Sequence, residues 1–277
     1  MSTFPPNNVS LKQELALACE LAQQAGEVLL RHYGEELVVE SKADHSPVTE
    51  ADREADALII AGLREGFPSD EILSEESEAS PTRHGAERLW CVDPMDGTRE
   101  FIARNGEFTV MIGLAIRGEA RLGVLYQPVT RLLLWGVDGV AGASLDGVAQ
   151  EIGVSDRARV EDAVLMVSRN QSGANAMAEG LGVSRTVVMG GMGMKVLNLA
   201  LGVGDIYLSP FNLAKEWDTC APEAVLRAAG GIMTDSRGYP LRYNKEDCGT
   251  PHGWVATNGL LHQTCLDALW RQRRSKQ

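Results

Sequence analysis

The absences in this chain narrow its function before any motif is read. Its five cysteines, Cys19, Cys91, Cys220, Cys248 and Cys265, form no CxxC pair. That argues against a disulfide scaffold or a zinc knuckle and for free thiols in a reducing compartment. Basic charge is scarce: 26 lysines and arginines stand against 38 acids, a formal net charge of −12. Such a surface repels nucleic-acid backbones and anionic membranes, so no nucleic-acid polymer is expected as a partner. No run approaches the roughly 20 apolar residues of a membrane span, so no integral membrane association is expected. Met1 to Ser10 is polar, with no charged segment leading into an apolar one, and no secretory signal is expected. Together these point to a cytoplasmic protein. Histidine is sparse as well: His32, His45, His84, His252 and His262 are dispersed, and none is expected to be catalytic.

The chain does have bulk. It has 277 residues, 44% of them hydrophobic, enough for one large domain or two moderate ones. Its most informative run is Trp90-Cys91-Val92-Asp93-Pro94-Met95-Asp96-Gly97-Thr98-Arg99-Glu100-Phe101. Asp93 is expected to end a buried strand, Pro94 to stop it, and Gly97-Thr98 to open a helix. Paired carboxylates attract Mg²⁺, and backbone N–H groups at a helix start attract phosphate. A site holding both suits phosphoryl chemistry, and an acidic protein can bind a phosphorylated anion when metal ions reverse the sign inside a cleft. Asp-Pro and Asp-Gly alone are common turn formers. Three further segments change the weighing: Pro47-Val48-Thr49-Glu50-Ala51-Asp52, Ser74-Glu75-Glu76-Ser77, and Glu216 through Ala224.

Apolar residues at Leu11, Leu15, Ala18, Ala22, Ala25 and Leu29 step by four and three, which predicts a helix to His32. A second helix is expected over Val48–Leu63. Short strands are expected at Glu36–Val39, Glu71–Leu73 and Leu89–Val92. Three more follow at Thr109–Ile116, Arg121–Tyr126 and Arg131–Gly136, and Asp138–Gly147 is read as leading out of that sheet. Beyond it, strands and helices alternate, with helices at Ala174–Leu181, Met194–Leu201, Trp217–Ala229 and Leu260–Arg271. The fold class is α/β: an α+β half over residues 1–145 and an α/β half over 146–277.

In that order, the acidic pair after a short strand, the DPMDGT run and the Trp-Asp opening a helix resemble the inositol monophosphatase superfamily of Mg²⁺-dependent, Li⁺-sensitive phosphatases. The upstream Val48-Thr49-Glu50-Ala51-Asp52 segment is a fourth match. The resemblance implies a layered αβαβα sandwich with the metal site between the halves. It implies two or three Mg²⁺ ions held by Glu75, Asp93, Asp96, Asp218 and the carbonyl of Met95. Glu76 is the alternative to Glu75, and capping of the following helix is the alternative role for Asp218. It also implies that Thr98 accepts a proton from the attacking water while giving its own hydrogen to Asp52, since a threonine alone is no base at neutral pH. The amides of Gly97 and Thr98 would hold the phosphate, and Asp218 would also face the substrate.

Two longer stretches narrow the substrate. Arg99 to Val110 and Lys215 to Glu223 resemble the 3'(2'),5'-bisphosphate nucleotidase branch, as does Val167-Ser168-Arg169. The implied reaction removes the 3'-phosphate of adenosine 3',5'-bisphosphate to give AMP. Lys195, after the run Gly190-Gly191-Met192-Gly193, is the candidate to meet the second phosphate. The chain departs from the branch pattern at Gln171, Met192 and Ser209. Inositol monophosphate or sugar-phosphate hydrolysis is the alternative, and a silent nucleotide sensor a third reading that the retained acids argue against. The expected partner is a small phosphorylated molecule, and by analogy the chain is expected to be a monomer.

Overall fold

The computed structural model describes residues 11–34, 39–41, 47–169, 174–209 and 214–274. Met1 to Ser10, His45 and Gln171 lie outside these, as does the strand expected at Glu36–Val39 except for its last residue.

Helices α1 (Lys12–Tyr33) and α2 (Glu50–Gly66) bury the faces their apolar spacing predicts, including Leu15, Ala22 and Leu29 on the first and Ala55, Ile59 and Leu63 on the second. Between them β1 (Val39–Ser41) and β2 (Pro47–Thr49) form an antiparallel ribbon. A seven-stranded sheet follows in sequence order: β3 (Glu71–Ser74), β4 (Arg88–Asp96), β5 (Thr109–Ile116), β6 (Glu119–Gln127), β7 (Leu132–Val137), β8 (Val140–Leu145) and β9 (Val148–Gln150). A five-residue helix, α3 (Thr98–Ile102), sits between β4 and β5. The remaining elements are β10 (Val164–Ser168), α4 (Ala174–Leu181), β11 (Arg185–Met189), α5 (Met192–Ala200), β12 (Ile206–Ser209), α6 (Glu216–Ala228), β13 (Ile232–Asp235), β14 (Trp254–Thr257) and α7 (His262–Arg274). Their strands make a mixed sheet in the order β11-β10-β12-β14-β13.

Three apolar layers join five structural ones. The first seals α1 and α2 onto one face of the seven-stranded sheet. The second fills the space between that sheet, α5 and α6, and the five-stranded sheet, so it draws on both halves of the chain. The third lies under α4 and α7 on the far face. This is the layered α/β sandwich expected. No helix among the described residues is long and apolar enough to cross a membrane.

Two expectations are corrected. The strand before Pro94 does not stop at Asp93; β4 runs on to Asp96. Its register against β5 shifts between Asp93, opposite Met111, and Asp96, opposite Thr109. The extra residue is a bulge, and a bulge accommodates a proline that has no N–H to give the ladder. Asp138–Gly147 does not lead out of the sheet either. Asp138-Gly139 and Asp146-Gly147 have φ of 45° and 83°, and 47° and 81°. Each is a two-residue hairpin turn that adds a strand, β8 and then β9.

Close packing sets the position of α6. Gly113, Gly123 and Gly136 are register neighbours on β5, β6 and β7. A Cβ at Gly113 would stand 2.6 Å from the Ala221 nitrogen, and one at Gly136 2.7 Å from the Val225 Cα. The glycine row is a groove in which the helix backbone lies directly on the sheet.

Candidate active site

The β4 bulge and the starts of α2, α3, α5 and α6 meet around a cavity of about 420 Å³. Asp96, Gly97 and Thr98 line it from the bulge, Glu75 from the end of β3, and Asp218 from the first turn of α6. The Glu75 amide donates to the Val92 carbonyl at 3.1 Å, which continues the β3–β4 pairing and holds that side chain at the strand ends. Glu76 instead lines a separate groove with Arg53, Asp56 and Ser77. Of the acidic pair, the first faces the cavity.

Asp93 is buried, and its Oδ1 accepts from the Met95 amide at 3.0 Å. The Met95 side chain is buried in the layer beneath α1 and α2, which leaves only its carbonyl for the site. Gly97 has φ of 100°, and a Cβ there would come within 2.8 Å of the Glu107 carbonyl. Only glycine fits this turn from strand to helix.

Thr98 and Asp52 are brought together from 46 residues apart. Thr98 Oγ1 donates to Asp52 Oδ1 at 3.2 Å. The other oxygen, Oδ2, accepts from the Thr49 amide and hydroxyl, both at 2.7 Å, which caps α2. Asp52 is therefore fixed at one oxygen and offers the other to Thr98.

Asp96 is turned toward α5: the amides of Met192 and Gly193 donate to Oδ1 at 3.0 Å and to Oδ2 at 2.6 Å. The α5 helix begins two residues before the expected Met194, and those first amides make this contact. Asp218 Oδ2 accepts from the Lys215 amide at 2.6 Å. Its capping role is thus exercised from the third position of the helix, with Lys215 as the N-cap.

These acids act on one another. Burial, and then the charges of Glu75, Asp96 and Asp218, push the Asp93 carboxyl well above its usual range. Burial and Glu75 do the same to Asp218. Among the described residues no group of three or more Asp, Glu, His or Cys side chains is closed tightly enough to hold a metal ion. The oxygens of Asp93, Asp96 and Asp218 are instead engaged by amides of the chain. The donor set nevertheless fits Mg²⁺: carboxylates and a carbonyl are hard oxygen ligands, and mutual repulsion of buried acids is what a divalent cation relieves.

Lys195 lines the cavity but is almost wholly buried, at 2% exposure. Its ammonium donates to the carbonyls of Met189 at 3.4 Å, of Gly190 at 3.0 Å, and of Gly191. It also sits 5.0 Å from the centroid of the Tyr207 ring. Burial draws its pKa down to about 8 against the opposing charges of Asp96, Glu100 and Glu107.

Sequence reasoning gave no role to Glu107 or Arg169. Arg169 Nη2 donates to Glu107 Oε2 at 2.6 Å, and the Gly190 amide donates to the same oxygen at 2.7 Å. Both residues stand inside matched runs, but nothing local in the sequence marks them as partners 62 residues apart.

Residues 10–273 match the sequence model of the inositol monophosphatase family. The chain is 38% identical over 236 residues to 3'(2'),5'-bisphosphate nucleotidase CysQ of Escherichia coli (strain K12), covering 83% of this chain and 93% of that one. Among solved structures it is similar to CysQ from Bacteroides thetaiotaomicron, with a TM-score of 0.75 and 32% identity, covering 90% of this chain and 98% of that one. It is also similar to an IMPase of Thermotoga maritima, with a TM-score of 0.80 and 26% identity over 95% of this chain and 98% of that one.

Proposed function

Because the chain belongs to the inositol monophosphatase family, we propose that it is a Mg²⁺-dependent 3'(2'),5'-bisphosphate nucleotidase that removes the 3'-phosphate of adenosine 3',5'-bisphosphate. The observation that carries the reaction type is the Thr98–Asp52 hydrogen bond, set beside four acids on one cavity. The choice of substrate rests on the likeness to CysQ of Escherichia coli.

Glu75, Asp93, Asp96, Asp218 and the Met95 carbonyl would hold two or three Mg²⁺ ions, which when bound supply positive charge to the phosphoryl oxygens and acidify water. The chain does the rest. Thr98 Oγ1 takes the proton of the attacking water because Asp52 Oδ1 receives the hydroxyl's own hydrogen. Thr49 holds Asp52 Oδ2, so the carboxylate cannot rotate away during the transfer. The amides of Gly97 and Thr98 orient the scissile phosphate against the water's line of approach. Asp218, on the wall opposite Thr98, contacts the sugar side of the leaving group. AMP and phosphate leave a cavity open to solvent, consistent with a small diffusible substrate in the cytoplasm.

The test is phosphate release with Mg²⁺ from adenosine 3',5'-bisphosphate, inositol 1-phosphate and fructose 1,6-bisphosphate. The bisphosphorylated nucleotide is expected to give the highest kcat/KM, with turnover suppressed by Li⁺ and unaffected by matched Na⁺ or K⁺. Faster hydrolysis of inositol 1-phosphate would overturn the nucleotide assignment and leave the metal chemistry standing.

A further inference from the structure

We propose that Arg169, and not Lys195, contacts the second phosphate of the substrate, and that Lys195 is a positioning residue for the loop beside it. This rests on the nucleotidase reading of the same cavity.

An ammonium has three N–H donors. Those of Lys195 go to three consecutive carbonyls, of Met189, Gly190 and Gly191. At 2% exposure the side chain has no water to exchange with. A donor turned to an incoming phosphate would leave a buried carbonyl unpaired, which cancels most of the gain. The position of Lys195 suits a different task. It gathers the carbonyls of the turn between β11 and α5 on one side, so the amides that follow point the other way. Those amides, of Met192 and Gly193, hold Asp96. Lys195 thus acts on the reaction through Asp96 and touches no substrate.

Arg169 has the opposite character. Its side chain is 44% exposed, lines the cavity, and is anchored at its backbone, where its amide donates to Met189 O at 3.3 Å. Its guanidinium meets Glu107 at 2.6 Å and stands 3.9 Å from Glu100. The Glu107 pair is open to solvent, and an exposed ion pair is worth little. The fork of a guanidinium matches phosphate oxygens two at a time, and it stays charged at any working pH. Glu107 need not be left unpaired when Arg169 turns, since it keeps the Gly190 amide at 2.7 Å. The remaining cation on the cavity, Arg99, is next in sequence to Thr98 and so belongs to the scissile end. Arg169 stands beside Gly190 on the other wall, where a second anionic group would lie.

The experiment compares Arg169→Gln and Lys195→Met on adenosine 3',5'-bisphosphate and on adenosine 3'-monophosphate, which lacks the second phosphate. Arg169→Gln is expected to raise KM at least tenfold for the first and to leave the second unchanged. Lys195→Met is expected to lower kcat by the same factor on both, with KM unchanged. Calorimetry with Mg²⁺ gives a readout free of turnover: Arg169→Gln should weaken adenosine 5'-monophosphate and leave adenosine unchanged. Equal losses on both substrates for Arg169→Gln, or a selective loss on the bisphosphate for Lys195→Met, overturns the proposal. If Lys195→Met does not fold, the Arg169→Gln comparison and the calorimetry decide alone. An unmodified enzyme with no preference for the bisphosphate sinks the nucleotidase reading itself. A preference that survives Arg169→Gln sinks only this inference.

Discussion

The two walls of the cavity are built by different means. One is strand-built: Asp93 and Asp96 project from the β4 bulge and Glu75 from the end of β3, all inside a hydrogen-bonded sheet. The other is made of connections: Ser168–Arg169 after β10, the Gly190–Gly193 turn, and the first turn of α6. Strand ends fix an atom to within the rigidity of the sheet, which is what charge stabilisation at a reacting phosphorus requires. Turns present backbone amides and one exposed guanidinium, which suits recognition of a substrate's outer groups. The comparison predicts that damage to the strand-built wall abolishes chemistry, whereas damage to the other wall changes which substrate is preferred.

The sharpest way to break this contrast is Asp93→Asn. Turnover should fall by more than about 10³-fold, the scale for removing a preorganised electrostatic contact. Folding should survive. Asp93 has a raised pKa from burial and the charges of Glu75, Asp96 and Asp218. A raised carboxyl stabilises the native state only while protonated, and that contribution is lost as pH rises through the folded pKa. At pH 8 without metal, the variant should therefore melt no lower than the wild type. A loss of less than tenfold would remove Asp93 from the chemistry.

Next in size is the pair Thr98→Ala and Asp52→Asn. Each should cost about 10²- to 10⁴-fold in kcat, the range for general acid–base help. If the hydroxyl and carboxylate act as one relay, the double variant should be little worse than either single one. Multiplicative losses would mean that they act separately, and the strand-built wall would then need another base.

What the sequence made legible follows the range of the interaction. The faces of α1 and α2 were readable because a helix repeats within four residues. The acids of the bulge were readable because they are contiguous. The path of β4 through Pro94 was not, since a bulge is defined by the partner strand. Nor were β8 and β9, although Asp138-Gly139 and Asp146-Gly147 carried a hairpin signal that was taken for an exit. The meeting of Thr98 with Asp52 was expected only through family resemblance. The partners of Lys195 were invisible for a physical reason: a lysine after a glycine-rich turn reads the same whether it reaches outward or folds back on its own loop. Glu107 and Arg169 pair across the cleft, and only the assembled layers bring them together.

The smallest predicted effect tests whether stability and chemistry separate within a single helix. Glu223 lies on α6, five residues after Asp218, but away from the cavity. It is buried, accepts from the Tyr243 hydroxyl, and lies 3.6 Å from Arg227, with Arg242 and Glu119 also acting on it. Burial raises its pKa from 4.5 to about 7, against the opposing pull of Tyr243 and the two arginines. Because the native state holds this proton more tightly than the unfolded chain, its contribution is full below pH 4.5 and is lost as pH rises through about 7. The loss approaches about 3 kcal/mol for a shift of this size. Glu223→Gln keeps an acceptor for Tyr243 and removes the ionisation. Urea unfolding at pH 5 and pH 8 should show the variant gaining on the wild type by up to that amount, with kcat/KM at pH 8 within about twofold. An equal stability difference at both pH values would show that Glu223 does not titrate there. A large loss of turnover would show that its helix transmits strain to Asp218, and the two walls would not be independent.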